Sequence, residues 1–210
     1  MTLKESNQYP FIVIEGLDGV GKSTQVRYLA EALNAAVIQC PPFIEDPLRP
    51  GCDLRERMDK ASLSRRREYY RMSNFMASEQ IRLVLKHQPV VVDRYWTSTA
   101  AFSAMDEASP VWEAIGTYPE GFLEPDMVIL LTVDETNRSL RIGGRGLAMT
   151  SEEKRLENQD GQRSSVLELY RMFDPIEIDT SDLSPDEVLE EILHWLNEAS
   201  LLDWLGEAHK

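Results

Sequence analysis

Short apolar runs without polar alternation recur along this chain of 210 residues, and stretches with helical spacing separate them. The runs cover residues 11–14, 36–38, 90–92 and 127–131, and a more polar fifth run covers residues 175–178. Apolar runs of this kind are typical of strands that helices cover on both faces, as in a parallel sheet. The pattern therefore predicts an α/β fold in which residues 175–178 form an edge strand.

The stretches between these runs predict helices that pack on the sheet. Apolar residues recur at helical spacing after the first run and again near the end of the chain, at Val26, Leu29, Leu33, Val188, Ile192, Trp195 and Leu196. Residues 143–162 are rich in glycine and charge instead, and we expect them to form a mobile lid between two helices. The length and the absence of a linker predict one domain over residues 1–210.

The charge balance bears on the class of partner. The chain has 22 Lys and Arg against 36 Asp and Glu, a net charge of −14, which repels a phosphate backbone and argues against nucleic acid. The charge is unevenly distributed, because residues 181–210 hold eight acids against one lysine whereas residues 49–71 hold eight bases against four acids. The sequence therefore excludes an extended polyanion but allows small phosphate-bearing ligands in a locally basic cleft.

Two features bear on the compartment. Cys40 and Cys52 are too few for a disulfide framework and have no neighbours at metal-ligand spacing, so we expect two reduced thiols. The first ten residues carry neither an apolar core nor an arginine-rich pattern, and no apolar run is long enough for a membrane span. We therefore expect a cytoplasmic protein without a membrane partner, or a mitochondrial one if the chain is cut from a longer, targeted precursor.

The first apolar run leads directly into GLDGVGKST, residues 16–24, which matches the whole pattern G-x-x-x-x-G-K-[ST]. In such a loop, glycines allow backbone N–H groups to turn around a phosphate, and the helix that follows adds its positive end. We expect Lys22 to reach the β- and γ-phosphates of ATP and the Ser23 hydroxyl to hold Mg²⁺. The predicted ATP-binding residues of this loop are Gly16, Gly19, Val20, Gly21, Lys22, Ser23 and Thr24.

A second motif distinguishes among proteins that have this loop. Residues 90–92 lead into Asp93 and Arg94, at the carboxyl end of a predicted strand, where ligands of open α/β sheets gather. Asp93 is a candidate to orient Mg²⁺ or its water, and Arg94 is a candidate to clamp an anionic acceptor. A GTPase needs N-K-x-D after a strand, and residues 134–137 read DETN, which argues against that class.

The motifs of this chain and the order in which they occur resemble those of the thymidylate kinases. They are GLDGVGKST, then DRY followed by WTSTAAF, then PDMVILL at residues 125–131 with Arg141 a turn or two later. The resemblance spans residue 10 to about residue 195. Within that superfamily, Pro41, Pro42, the tetrapeptide DRYW and residues 145–153 are more similar to the mitochondrial-type UMP/CMP kinases.

The resemblance implies a three-layer α/β/α P-loop kinase fold with a five-stranded parallel sheet, and a homodimer. It also implies transfer of the γ-phosphoryl group of ATP, with Mg²⁺, to the 5′-phosphate of a pyrimidine nucleotide, which is dTMP, dUMP, dCMP, UMP or CMP. Arg141 is expected to lie against the adenine, and Thr180 to belong to the adenine-side loop. Gly19 stands where some members have an arginine, so the transition-state arginine is expected from the lid, at Arg145 or Arg155.

The resemblance further implies where the acceptor's sugar and phosphate bind. Asp18 is expected near the sugar and phosphate, together with Arg94 and Ser98. Either Arg49 or Arg55 is expected to grip the acceptor phosphate, since both follow the second predicted strand. This places the acceptor phosphate in the basic part of the chain.

The acceptor base is expected to meet three further residues. Counted back from DRY, Tyr69 falls at the aromatic that stacks on the base in the family. Ser73 falls where thymidylate kinases have an arginine, and this departure argues against strict thymidine specificity. Phe102 matches the aromatic that crowds the 2′ position of the sugar, which favours deoxyribose acceptors.

Two other functions stay open at the level of sequence. A deoxynucleoside kinase phosphorylates a free sugar hydroxyl and needs a general base, and DRY in place of the expected Glu/Asp-Arg-Ser argues against that activity. A P-loop module can also bind nucleotide as a regulatory switch without catalysis. The presence of Lys22, Ser23, Asp93 and Arg94 argues against such a module.

Overall fold

The structure, a computed structural model, describes residues 9–106, 115–144 and 161–207, and a five-stranded sheet lies at its centre. The strands are β1 (Phe11–Glu15), β2 (Ala36–Gln39), β3 (Val90–Asp93), β4 (Met127–Thr132) and β5 (Ile176–Asp179). They lie in the order β2-β3-β1-β4-β5, and every neighbouring pair is parallel. This confirms the predicted parallel sheet, in which β5 is an edge strand.

Helices connect the strands in the predicted α/β order. In the described part of the chain they are α1 (Lys22–Leu33), α2 (Leu54–Met58), α3 (Leu63–Val84), α4 (Trp96–Ala104), α5 (Glu135–Gly143), α6 (Gln162–Arg171), α7 (Pro185–Glu198) and α8 (Trp204–Glu207). None of these helices is long and apolar enough to cross a membrane.

Helices cover both faces of the sheet, which explains the unbroken apolar runs. On one face, Ile12 and Ile14 of β1 pack with α1 and α7. On the other face, Phe11 and Val13 pack with α3 and α4, and α6 packs beside α4. Alternate side chains of β1 thus enter two different cores, so the whole strand is buried. The protein is a three-layer α/β/α fold, as predicted.

Helix α7 carries acidic residues on the outside of the protein. It begins with a capping box, in which the Ser184 side chain accepts a hydrogen bond from the Glu187 N–H and the Glu187 carboxylate accepts one from the Ser184 N–H. Val188, Ile192 and Leu196 form its buried face against the sheet. The negative charge of this helix therefore lies on its solvent side.

The carboxyl ends of the strands meet at one edge of the sheet, and this edge positions the functional residues. From β1 the chain builds one side of the sheet with β2 and β3, and then the other side with β4 and β5. Ligands of open α/β sheets bind at such a switch point. The glycine-rich loop follows β1, Asp93 ends β3, and Thr180 follows β5, so all three lie at this edge.

Candidate active site

The glycine-rich loop, residues 16–24, joins β1 to α1, which is the context that its motif requires. Gly16 has a φ of 138°, and a Cβ atom there would lie 2.4 Å from the carbonyl oxygen of Leu131 on β4. Gly19 has a φ of 96°, and a Cβ atom there would lie 2.8 Å from Cγ of Arg138 on α5. Only glycine fits these positions, so the loop packs directly against β4 and α5.

The packing at Gly19 bears on the source of a catalytic arginine. A side chain at this position would overlap Arg138, whose guanidinium donates to the Glu135 carboxylate at 3.0 and 3.1 Å. The positive φ of Gly19 and its contact with Arg138 thus disfavour a larger residue at this position of this chain. Arg145 and Arg155, the predicted alternatives, lie outside the described residues, as does most of the predicted lid.

Lys22 is almost fully buried at the start of α1. Its ammonium donates a hydrogen bond of 2.8 Å to the Leu17 carbonyl and lies 3.6 Å from Oδ1 of Asp18. Burial, reinforced by the nearby charge of Arg94, lowers the pKa of Lys22 to about 8, against the opposing effect of Asp18. A phosphate beside this ammonium would therefore stabilise its charged form.

Ser23 and Asp93, the predicted metal-binding pair, lie together. The Ser23 hydroxyl donates a hydrogen bond of 2.9 Å to Oδ2 of Asp93, although 70 positions separate the two residues in the chain. A hydroxyl and a carboxylate are oxygen ligands that suit Mg²⁺. Among the described residues, no three His, Cys, Asp or Glu side chains are grouped to hold a metal ion by themselves. The residues present therefore fit a Mg²⁺ ion that takes its other ligands from phosphate oxygens and water.

Arg94 contacts two other predicted acceptor residues, Asp18 and Ser98, and also Tyr170, which the sequence analysis did not single out. Its guanidinium donates to Oδ1 of Asp18 at 2.8 Å, to the Ser98 hydroxyl at 3.3 Å and to the Tyr170 hydroxyl at 3.2 Å. Burial opposes the charge, but Tyr170 and Asp18 raise the pKa of Arg94 above its usual value. Its backbone has a φ of 66°, a region rarely used by residues other than glycine. Arg94 is therefore a fixed positive charge beside the glycine-rich loop.

Glu15 is a site residue that no motif in the sequence indicated. It is fully buried at the end of β1, and its carboxylate accepts hydrogen bonds from the Tyr95 N–H at 2.9 Å, the Ser98 N–H at 3.2 Å and the Ser98 hydroxyl at 2.5 Å. Burial raises the pKa of Glu15, and the charge of Arg94 opposes that effect. Glu15, at the end of β1, thus caps the first turn of α4, the helix that follows β3. The available signal was an acid that ends an otherwise apolar run.

A cavity of about 270 Å³ opens at this edge of the sheet. It is lined by Asp18, Gln39, Cys40, Pro41, Arg55, Asp59, Arg67, Tyr70, Asn74, Asp93, Arg94, Tyr95, Ser98, Thr99 and Phe102. Of the two candidates for the acceptor phosphate, Arg55 lines the cavity. Arg49 does not, because it is exposed and its guanidinium pairs with Glu56 at 3.0 Å. The cavity is slightly smaller than the usual small-molecule pocket of about 300–1,000 Å³, and several charged and polar side chains converge on it.

On α3, the structure differs from the sequence prediction by one position. Tyr69 and Ser73 are buried and do not line the cavity, whereas Tyr70 and Asn74 do. Successive residues of a helix point about 100° apart, so a shift of one residue exchanges the face turned to the cavity. The Tyr70 hydroxyl accepts from Nε of Arg55 at 3.2 Å and donates to the Asp59 carboxylate at 2.9 Å. The tyrosine of α3 that lines the cavity is thus Tyr70.

Phe102 lines the cavity, as expected for an acceptor residue. The guanidinium of Arg67 lies 5.8 Å from the centre of the Phe102 ring. Arg67 also pairs with the buried carboxylate of Asp106 at 2.5 Å, so it is held in place from α3 to the end of α4. This pair could not be predicted from the sequence, because 39 positions separate its members.

The two residues predicted on the adenine side also lie together. Arg141 donates to the Thr180 hydroxyl at 2.8 Å and to the Thr180 carbonyl at 2.7 Å. Thr180 is buried, and its hydroxyl donates to the carbonyl of Thr132 at 2.9 Å. Arg141 on α5 is therefore anchored to the loop that follows β5.

Comparison with known proteins gives a family match. The family model described as thymidylate kinase matches residues 14–192. The chain is 31% identical over 198 residues to UMP-CMP kinase 2, mitochondrial, of Homo sapiens, and covers 43% of that protein's length and 90% of its own. It is 28% identical over 192 residues to the probable thymidylate kinase of Methanocaldococcus jannaschii, with 89% of this chain and 95% of that protein covered.

Solved structures show the same fold. The thymidylate kinase from Candida albicans matches with a TM-score of 0.68 and 19% identity, over 92% of this chain and 93% of that chain. The deoxyadenosine kinase from M. mycoides with bound dATP matches with a TM-score of 0.60 and 20% identity, over 89% of this chain and 99% of that chain. At this level of sequence identity, the solved structures show that the fold is shared. The family is shown by the match of the family model.

Proposed function

The chain belongs to the thymidylate kinase family and is a nucleoside monophosphate kinase, and from that premise we propose that it phosphorylates pyrimidine nucleoside monophosphates at the expense of ATP. The observation that carries this proposal is that two groups of residues meet beside one cavity, where Lys22 and Ser23 contact its lining residues Asp18 and Asp93. Lys22 and the Ser23–Asp93 pair come from the ATP side, and Asp18 with Arg94 comes from the acceptor side.

The proposed reaction needs no side-chain base. An oxygen of the acceptor phosphate attacks the γ-phosphorus of ATP, the bond from that phosphorus to the oxygen bridging to the β-phosphate breaks, and ADP leaves. The chain's task is to hold both nucleotides in line and to offset their negative charge. Lys22 contacts the transferred phosphoryl group and Arg94 contacts the acceptor phosphate in this proposal, while Asp18 orients Arg94 through their 2.8 Å hydrogen bond.

Mg²⁺ fits this proposal at the Ser23 hydroxyl and the Asp93 carboxylate. When bound, it supplies positive charge to the phosphate oxygens of ATP. The arginine for the transition state is proposed to be Arg145 or Arg155. Arg141 and Thr180 are proposed to border the adenine, in keeping with their mutual hydrogen bonds.

On the acceptor side, the geometry favours Arg55 over Arg49 for the phosphate, and Tyr70 over Tyr69 for stacking on the base. Phe102 lines the same cavity and is proposed to lie against the sugar. A base stacked on Tyr70 would gain the usual energy of an aromatic pair, about 1 kcal/mol beyond the buried area.

We also propose that the protein is a homodimer. Met72, Phe75, Met76 and Leu83 of α3 are exposed by 41% or more and lie on one side of the helix. Contiguous exposed apolar side chains mark interaction surfaces in soluble proteins. A second copy of the chain is the partner that the family resemblance implies.

A coupled assay of ATP consumption with dTMP, dUMP, dCMP, UMP and CMP tests the proposed function. We expect turnover with at least one of these, loss of turnover in Lys22→Ala, and unchanged turnover in Lys86→Ala, an exposed lysine at the opposite edge of the sheet. Phosphorylation of nucleosides but not of monophosphates would identify a deoxynucleoside kinase instead. No turnover with any acceptor would leave a nucleotide-binding module and contradict the proposal.

A further inference from the structure

Asn74 is among the least exposed residues with a polar side chain in the cavity wall, with 1% of the residue exposed. Its nitrogen Nδ2 donates hydrogen bonds of 2.7 Å to the Tyr70 carbonyl and of 2.7 Å to the Thr99 hydroxyl. Its oxygen Oδ1 accepts a hydrogen bond of 3.3 Å from the Cys40 thiol. The amide is therefore held by neighbours on α3, on α4 and after β2.

These contacts fix which end of the amide is the oxygen. The Tyr70 carbonyl can only accept hydrogen bonds, so a flipped amide would place two carbonyl oxygens 2.7 Å apart. Both hydrogens of Nδ2 are then used inside the protein. Oδ1 keeps one lone pair, because its present partner, a thiol, is a weak donor that uses only the other. Towards a ligand, Asn74 is thus an acceptor and not a donor.

An acceptor at this place distinguishes among pyrimidines. The phosphate of the acceptor belongs near Arg94 and Asp18, whereas Asn74 lies on the α3 wall of the same cavity. Position 4 of a pyrimidine lies opposite the ring nitrogen that bears the sugar, so the group at position 4 reaches furthest from the sugar and phosphate. Cytosine has an amino group there, which donates hydrogen bonds. Uracil and thymine have a carbonyl oxygen, which would face Oδ1 and be repelled.

We propose that the fixed carbonyl of Asn74 selects the 4-amino group of cytosine, so that cytidine and deoxycytidine monophosphates are the preferred acceptors. This rests on the proposed function and deepens it. Thr99 and Tyr70 act as positioning residues in the selection, because they hold the two amide hydrogens away from the ligand.

The test compares kcat/KM for dCMP with kcat/KM for dUMP, since the two acceptors differ only at position 4 and the adjoining ring nitrogen. In the unaltered protein we expect dCMP to be favoured about tenfold, which corresponds to one good hydrogen bond gained and one repulsion avoided. CMP should be favoured over UMP to a similar degree. Equal or better turnover of the uracil nucleotides would overturn the proposal while leaving monophosphate kinase activity established.

Two variants test the role of the amide. Asn74→Leu removes the acceptor and should bring the dCMP to dUMP ratio close to one. Thr99→Val keeps the shape of the side chain but releases one amide hydrogen towards the cavity, so it should raise kcat/KM for dUMP relative to dCMP by about threefold or more. Asn197→Leu, an exposed position on α7, is the control and should keep the original ratio.

The outcomes separate this inference from the proposed function. A cytosine preference that survives both Asn74→Leu and Thr99→Val would overturn the role of Asn74. If Asn74→Leu does not fold, as judged by its melting curve, the ratio in the unaltered protein and in Thr99→Val still decides. No turnover with any monophosphate would contradict the proposed function itself, and the inference with it.

Discussion

At the scale of single residues, Lys22 shows how the site is prepared for a phosphate. Its ammonium is buried beside Arg94, and its pKa falls to about 8 as a result. Between pH 8 and the ordinary lysine pKa of about 10.5, the unfolded chain binds more protons than the folded chain. The free energy of unfolding should therefore rise with pH in this window, as the folded protein is relieved of a buried charge.

The variant Lys22→Met tests this residue. At pH 7 it should be more stable than the unaltered protein by about 1–3 kcal/mol, because it removes a charge that burial disfavours. The difference should shrink as the pH rises from 8 to about 10.5. Melting temperatures across this range measure it, with the exposed Lys86→Met as control. A variant that is less stable at pH 7 would show that the lysine charge is well accommodated without a ligand.

At the scale of elements, the turn from β3 into α4 depends on one buried carboxylate. Glu15 accepts the N–H groups of Tyr95 and Ser98, which otherwise have no partner at the start of a buried helix. The same turn contains Arg94 at a φ of 66°, which is an unfavourable conformation for arginine. The cap from β1 therefore holds the segment that presents Arg94 to the cavity.

Glu15→Ala should lower the free energy of unfolding by about 2–4 kcal/mol, because it leaves two buried N–H groups without an acceptor. Glu15→Gln should recover much of this loss, since the amide oxygen can still accept from both N–H groups. Urea denaturation measures the two values. If the free energy of unfolding of Glu15→Ala lies within about 0.5 kcal/mol of that of the unaltered protein, the carboxylate does not stabilise this turn.

The elements also show which parts of the site were predictable. The strands were predictable because both faces are buried, and the glycine-rich loop and Asp93–Arg94 were predictable because each is a contiguous motif next to a strand. Glu15 was not, because its partners lie 80 and 83 positions away. Tyr70 and Asn74 were not predicted, because the count back from DRY led to Tyr69 and Ser73, and one position along a helix turns the side chain by about 100°.

At the scale of the whole molecule, the net charge of −14 coexists with a cavity that has three arginines in its lining. Acidic residues concentrate on the outer side of α7, which packs on the face of the sheet opposite α3 and α4. Arg55, Arg67 and Arg94 come from α2, α3 and the end of β3. The same lining includes Asp18, Asp59 and Asp93, so the charges in the cavity wall balance, in contrast to the acidic chain as a whole. A small phosphate ester therefore meets less repulsion in the cavity than an extended polyanion meets at the protein surface.

The exposed apolar side of α3 gives a prediction for the assembly. The unaltered protein should sediment at twice the 24.0 kDa mass of the chain. Met72→Glu combined with Met76→Glu should sediment as a monomer, because it places charge within a surface that is otherwise apolar. Leu140→Glu, at an exposed apolar residue of α5, is the matched control and should stay dimeric. A monomeric unaltered protein would contradict the proposed dimer.

Transfer of a labelled phosphate tests whether one cavity brings the γ-phosphate of ATP to the phosphate of a pyrimidine nucleotide. The protein is incubated with ATP labelled at the γ-phosphate and with dCMP or CMP, and the nucleotides are separated by chromatography. If the cavity brings the two phosphates together, label appears in the pyrimidine diphosphate, with one labelled phosphate for each ADP formed, and Lys22→Ala transfers none. Label released only as inorganic phosphate, with the monophosphate unchanged, would contradict it.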